Sequence, residues 1–247
     1  MFYAGLVSVS FRKLSPEEIV RVAVAAGLKY IEWGSDVHAP YTEQERLEEI
    51  RQLQETYGVS CCSYGTYFRL GVTPIDELPG YIRAAKLLGT NILRLWAGNM
   101  SPCKYTEKEK QALFAQCRKA AILAENADVI LCLECHRNTY TETKENALEL
   151  MQAVNSPAFR MYWQPSARCT EKENLAYARS LKDYTYHIHA FQQKGADKYS
   201  LADGVDEWKT YLQEFCGDHY ILLEFMPDGL VETLPREADA LRMIIGA

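Results

Sequence analysis

The sequence predicts a single α/β domain over residues 1–247, closed into a (β/α)₈ barrel. Three observations carry this. Short apolar, β-branched and aromatic runs alternate with longer amphipathic stretches eight times, as repeated βα units on a parallel sheet do. The length, 247 residues, matches the roughly 250 residues of a full eight-unit barrel. The main rival, an open doubly wound sheet, lacks its G-x-G-x-x-G turn here, and no P-loop is present.

The first strand is expected near Tyr3–Val9. Ser15-Pro16-Glu17-Glu18 opens the first helix, with Ser as cap, Pro in the first turn and Glu at the third position, and Gly27 closes it. Strand two is Tyr30–Gly34, with a helix over Thr42–Tyr57. Strand three, Val59–Tyr64, precedes a helix over Pro74–Leu88 that stops at Gly89. Strand four, Asn91–Trp96, precedes a long helix over Glu107–Asn126. Strand five is Val129–Glu134, with a helix over Glu142–Val154. Strand six is Arg160–Trp163, with a helix over Glu171–Ser180. Strand seven is Thr185–Ala190, with a helix over Asp206–Phe215. Strand eight is Tyr220–Phe225, and Val231–Ile245 forms the last helix.

Composition narrows the function classes. Hydrophobic residues at 48% and charged residues at 24% describe an ordinary soluble globule able to bury a core. The net charge is −6 and no Lys/Arg cluster appears, so the electrostatic footprint of a nucleic-acid binder is missing. No apolar run reaches the roughly 20 residues that span a bilayer. Met1-Phe2-Tyr3 runs straight into a strand, so no secretory leader is expected. The eight cysteines are irregularly spaced, which predicts free thiols in a reducing, cytoplasmic setting. Cys132 and Cys135 form a C-x-x-C, but inside a strand their side chains face opposite sides.

In a βα barrel, chemistry comes from the carboxyl ends of the strands. Four consecutive late strands end in a side chain able to bind a metal: Glu134, Gln164, His189 and Glu224. Taken singly, each reads as a solvated strand end. Recurring on neighbouring strands with inward parity, they converge on one mouth, where two carboxylates repel unless a cation or a shared proton compensates. Two carboxylates, an amide oxygen and an imidazole suit Mn²⁺, Mg²⁺ or Co²⁺, with Zn²⁺ also open.

At these residues the chain resembles the xylose-isomerase-like barrel superfamily of sugar isomerases, epimerases and related enzymes. The resemblance spans nearly the whole chain. It rests on Ile31-Glu-Trp-Gly-Ser-Asp-Val-His-Ala-Pro40, Ser63-Tyr-Gly-Thr-Tyr-Phe-Arg-Leu-Gly71, Leu93-Arg-Leu-Trp-Ala-Gly98, Glu134-Cys-His136, Tyr162-Trp-Gln-Pro165, His187-Ile-His-Ala-Phe191 and Leu222-Leu-Glu-Phe225. These pieces are similar to a bacterial subgroup labelled sugar-phosphate isomerase/epimerase. The resemblance implies one divalent metal held by Glu134, Gln164, His189 and Glu224. Gln164 departs from the usual acid at its position, keeping an oxygen but removing a charge. Glu134 and Glu224 inherit, by resemblance, the proton transfers of the ketose epimerases. The substrate-binding His that those enzymes carry after strand six is absent. Arg168 stands in that stretch, where it either binds an anionic substrate group or is a solvated loop Arg.

Other positions carry expectations of their own. His136 reaches a substrate oxygen. His38 sits in a loop where substrate would enter, or is a plain exposed loop histidine. His187 lies two residues before His189 and either orients it or is a satisfied core histidine. Glu32 has inward parity and needs a partner, for which Arg94 is placed; Arg94 is also counted with the substrate-binding residues. Trp96, with Tyr64, Tyr67 and Phe68, offers rings near the strand exits for a sugar face, whereas Trp33 and Trp163 belong to the core. Lys194 is either a surface lysine or a contact for a phosphate or carboxylate. The expected function is a metal-dependent sugar or sugar-phosphate isomerase or epimerase acting on a small polyhydroxylated carbonyl compound. Its alternatives are a polyol or inosose-type dehydratase on the same site, a non-catalytic sugar-binding barrel, and, least supported, an abasic-site endonuclease. Nucleic-acid and membrane partners are not expected, and self-association stays open.

Overall fold

In a computed structural model that describes residues 1–246, eight parallel strands close into a barrel. They are β1 (Phe2–Val7), β2 (Tyr30–Gly34), β3 (Ser60–Leu70), β4 (Ile92–Ala97), β5 (Ile130–Glu134), β6 (Phe159–Trp163), β7 (Thr185–Ala190) and β10 (His219–Leu223). Each pairs with its chain neighbour, and β10 pairs with β1 to complete the ring. Eight α-helices cover the outside: α1 (Pro16–Ala25), α2 (Gln44–Tyr57), α3 (Leu78–Leu88), α4 (Glu107–Asn126), α5 (Lys144–Val154), α6 (Glu171–Leu181), α7 (Val205–Leu212) and α8 (Leu234–Ile245).

Local chemistry sets the helix ends. Ser15, Thr106 and Thr170 each form a capping box with the Glu three residues on, which satisfies two otherwise orphaned N–H groups at the starts of α1, α4 and α6. Gly89 ends α3 in the left-handed conformation that its missing Cβ permits.

Two differences from the sequence reading bear on the site. Strand β3 runs to Leu70, well past Tyr64, because its register against β4 shifts between Gly65 and Arg69 and the chain bulges before pairing again. A two-stranded hairpin, β8 (Gln192–Lys194) and β9 (Asp197–Tyr199), stands between β7 and α7, where a plain loop was expected. Its turn is fastened to the loop after β6 by the Gly195 N–H donating to the Ala167 carbonyl at 2.8 Å.

Side chains two apart on a strand share a face, and this builds the barrel interior in layers. Val7, Cys62, Ile92, Cys132, Tyr162 and Leu222 form a compact apolar cluster. Arg94, Glu134, Gln164 and Glu224 each lie two residues further along the chain than a member of it. Cys135 belongs instead to the larger core between sheet and helices, so the C-x-x-C cysteines do face opposite sides. All eight thiols are free. No described helix is long and apolar enough to cross a membrane.

Candidate metal centre

Glu134 ends β5, His189 is the last residue but one of β7 and Glu224 follows β10, and one ligand atom from each lies within 4.8 Å of the others. Nδ1 of His189 is 3.7 Å from Glu134 Oε1 and 3.5 Å from Glu224 Oε2. The Oε1 atom of Gln164 is 3.2 Å from the same nitrogen. Donors that each sit about 2.1 Å from one cation stand roughly 3–4 Å apart, so these four fit a shared divalent ion. The Gln164 amide is oriented by its own chain: Nε2 donates to the Cys135 carbonyl at 2.9 Å, which leaves Oε1 for the cluster.

Below this group lies a buried charge web. Arg94 donates from Nε to Glu32 Oε1 at 3.1 Å and from Nη1 to Glu134 Oε2 at 3.0 Å. Ser63 donates to Glu32 Oε2 at 2.6 Å, and Tyr162 donates to Ser63 at 2.7 Å. Gly65 makes room for the pair, since a Cβ there would meet Glu32 Oε1 at 2.8 Å and Arg94 Nη2 at 2.9 Å. His189 Nε2 faces Glu32 Oε1 at 3.4 Å but makes no aligned hydrogen bond. A hydrogen on Nε2 drawn toward Glu32 leaves the Nδ1 lone pair for an ion, a common arrangement behind ligating histidines.

Electrostatics point the same way. Burial opposes charge on Glu32 and Glu134, but Arg94 and His189 together outweigh it and hold both carboxyls below their ordinary range. Burial likewise opposes a charged His189, yet Glu224 and Glu32 raise its pKa to about 10. Burial, reinforced by Glu134, pushes Glu224 up to about 7. Three carboxylates face one guanidinium, so a divalent cation with a neutral His189 brings the cluster to neutrality. An acid at position 164 would leave it one negative charge over.

Glu134 and Glu224 are not equivalent. Glu134 Oε2 accepts from Arg94 and also from Trp96 Nε1 at 2.7 Å. Glu224 receives no such pair of donors. Trp96 is itself held by the Arg69 guanidinium, 4.4 Å from the ring centroid, and by Arg94 at 5.0 Å.

Above the cluster opens a cavity of about 510 Å³. Trp96, His136 and Arg168 line it, as expected, and so does the buried Arg94, whose guanidinium is spent on Glu32 and Glu134. His136 turns Nδ1 to the Arg137 carbonyl at 2.7 Å. Because a carbonyl only accepts, that nitrogen carries the hydrogen.

His38 is a correction. It neither meets the cavity nor lies exposed. It is fully buried, with Nδ1 3.0 Å from Ser8 Oγ and Nε2 3.1 Å from the Leu14 carbonyl, because its loop folds back on the turn after β1. Tyr64 and Phe68 are likewise fully buried in the core, and only Tyr67 of that segment reaches the cavity. His187 is a core histidine: burial lowers its pKa to about 4, and the neutral ring, whose nitrogens face the carbonyls of Tyr186 and Cys62, donates to one of them. The residue placed to orient His189 is Glu32. Sequence reasoning passed over Arg12, Lys198 and Phe225, which also line the cavity. Phe225 alone left a signal, as the residue next to Glu224.

The profile of the xylose isomerase-like TIM barrel family matches residues 20–244. The chain belongs to that family. Among xylose isomerase-like relatives, it is 26% identical to a 3-dehydroshikimate dehydratase of Bacillus anthracis, over 96% of this chain and 95% of that one. The crystal structure of the probable 3-DHS dehydratase AsbF from the same species superposes with a TM-score of 0.83, at 20% identity over 98% of both chains. D-Psicose 3-epimerase from Clostridium cellulolyticum H10, solved with D-tagatose, gives a TM-score of 0.73 at 12% identity, over 99% of this chain and 98% of the other. These superpositions establish the shared fold. The reaction is argued from the site.

Proposed function

We propose that this xylose isomerase-like barrel is a metal-dependent dehydratase acting on a small hydroxylated ring that carries a ketone and a carboxylate, of the 3-dehydroshikimate type. The observation that supports this reading most strongly is the inequality of the two glutamates. Glu134 is held as a carboxylate by Arg94 and Trp96, so protonating it would waste two buried hydrogen bonds. Glu224 accepts no such pair of donors and is the carboxylate left free to move a proton. One working acid–base group suits an elimination better than an exchange of protons between two faces.

A divalent ion held by Glu134, Gln164, His189 and Glu224 supplies Lewis-acid charge that favours electron density on the substrate carbonyl oxygen. Glu224 takes the proton from the carbon beside the carbonyl, and the C–H electron pair moves toward that carbonyl. As the pair returns, the bond from the next carbon to its hydroxyl breaks. Glu224 gives its proton to the departing hydroxide, so one water leaves and the carboxylate is restored. Arg94 and Trp96 keep Glu134 ionised throughout. His136 is placed to hold a substrate hydroxyl through Nε2.

The 26% identity to a 3-dehydroshikimate dehydratase supports the same substrate type. The test is incubation with 3-dehydroshikimate and Mn²⁺ or Mg²⁺, followed by ultraviolet absorbance and mass. The expected product is one water lighter and aromatic, because loss of water completes the ring's unsaturation. A product of unchanged mass from keto-sugars, with 3-dehydroshikimate untouched, would overturn the proposal. That outcome would favour epimerisation, the second reading, which draws on the pairing of two glutamates at one candidate metal site.

A further inference from the structure

Phe225 follows Glu224 with a φ of 60°, a left-handed conformation that bulky L-residues rarely adopt. Its neighbours pin it there: the Phe225 N–H donates to Ser10 Oγ at 3.2 Å, and Ser10 donates to the Leu223 carbonyl at 3.5 Å. The ring is consequently 42% exposed and lines the cavity. Strain of this kind, held by surrounding bonds, clusters at ligand sites. The Phe191 ring stands edge-on to Phe225, centroids 6.0 Å apart. Lys198, from β9, places Nζ 4.7 Å from the Phe225 centroid. Arg168 enters the same cavity from the loop after β6, the loop to which the hairpin turn is fastened through Gly195 and Ala167. Among the described residues, no carboxylate pairs with Lys198, Arg168 or Arg137 of this cavity, whereas its Arg12 and Arg94 are both paired. Lys198 over an exposed ring, with the unpaired Arg168 in the same cavity of a chain of net charge −6, marks a place for an anion attached to a flat apolar face.

We propose that Phe225, Lys198 and Arg168 form a subsite for a cyclic carboxylate, in which the phenyl ring takes the face of the substrate ring and the two cations take the carboxylate. The proposal deepens the dehydratase reading and rests on it for the substrate class, so its test is binding without turnover. The probe is shikimate, a hydroxylated cyclohexene carboxylate with no ketone, compared with its uncharged methyl ester. Both are titrated calorimetrically into the Mg²⁺-loaded protein. Shikimate is expected to bind on the order of tenfold more tightly than the ester. The double variant Lys198→Gln/Arg168→Gln should remove that difference. Phe225→Gly should weaken both ligands about fivefold or more without lowering the melting temperature, since glycine relieves the strained φ, and Phe225→Tyr should retain binding. Equal affinity for acid and ester, or no binding of either, overturns the subsite. So does a Phe225→Gly protein that melts earlier yet binds as the wild type does, which would make Phe225 a packing residue. The expected binding pattern together with no water loss from 3-dehydroshikimate upholds the subsite and removes the dehydratase.

Discussion

At Glu134 and Glu224 two identical side chains acquire different chemistry from their neighbours. Arg94 and Trp96 each donate to Glu134 Oε2, while Glu224 faces burial and like charge. Glu224→Gln keeps an oxygen for the metal and removes the proton acceptor. It should lower kcat by about 10²–10⁴-fold while a metal titration still shows binding; a variant retaining more than a tenth of wild-type kcat would sink the assignment. Much of this site was legible in the sequence, because strand parity alone aims residues 134, 164, 189 and 224 inward. The Glu32–Arg94 pair was legible too, since a buried charge requires a partner. The second bond of Arg94, to Glu134, was not, because it depends on how far β2, β4 and β5 are curled toward one another. His38 misled for a similar reason: its partners Ser8 and Leu14 lie on another βα unit.

Among the elements, β3 and the hairpin escaped the sequence reading. The hairpin strands are three residues each, and Gln192-Gln-Lys with Asp197-Lys-Tyr offer no apolar alternation to mark them. They pair only with each other. The sequence reading ends strand β3 at Tyr64, just before Gly65. Instead Gly65 continues the strand, and its bare Cα faces the Glu32–Arg94 pair. Gly65→Ala is expected to cost about 1–3 kcal/mol by overpacking a site whose neighbours cannot yield. Urea denaturation of wild type and variant measures this; a loss under about 0.5 kcal/mol would mean that the pair has slack around it.

For the whole molecule, closing the ring concentrates like charge at one mouth, and this links stability to pH and to metal. In the metal-free protein, His189 has a folded pKa near 10 against an ordinary 6.5. Its contribution to stability is fully present below about 6.5 and is lost as pH rises toward 10. Glu224, raised to about 7 from 4.5, likewise stabilises below 4.5 and loses that contribution as pH rises through 7. Glu32 and Glu134 shift the other way, and their losses fall at acid pH. Between pH 6 and 9 the chelated protein should therefore melt progressively earlier, and the stabilisation by Mg²⁺ or Mn²⁺ should grow as protons cease to compete for His189 and Glu224. Thermal melts with chelator and with metal across that range check this. A metal-induced shift that is flat or falls with pH would show that these groups do not bind the ion.

The sequence by itself determined the class of fold, the order of its eight βα units and the four inward side chains on the late strands. These follow from periodicities of two and 3.6 and from caps read within a few residues of each other, all of them local. Which glutamate is free to move a proton, which histidine is walled into the core and which loop bends over the mouth were decided only by the tertiary structure. Each depends on distances between residues tens to hundreds of positions apart, and closure of the ring sets those distances.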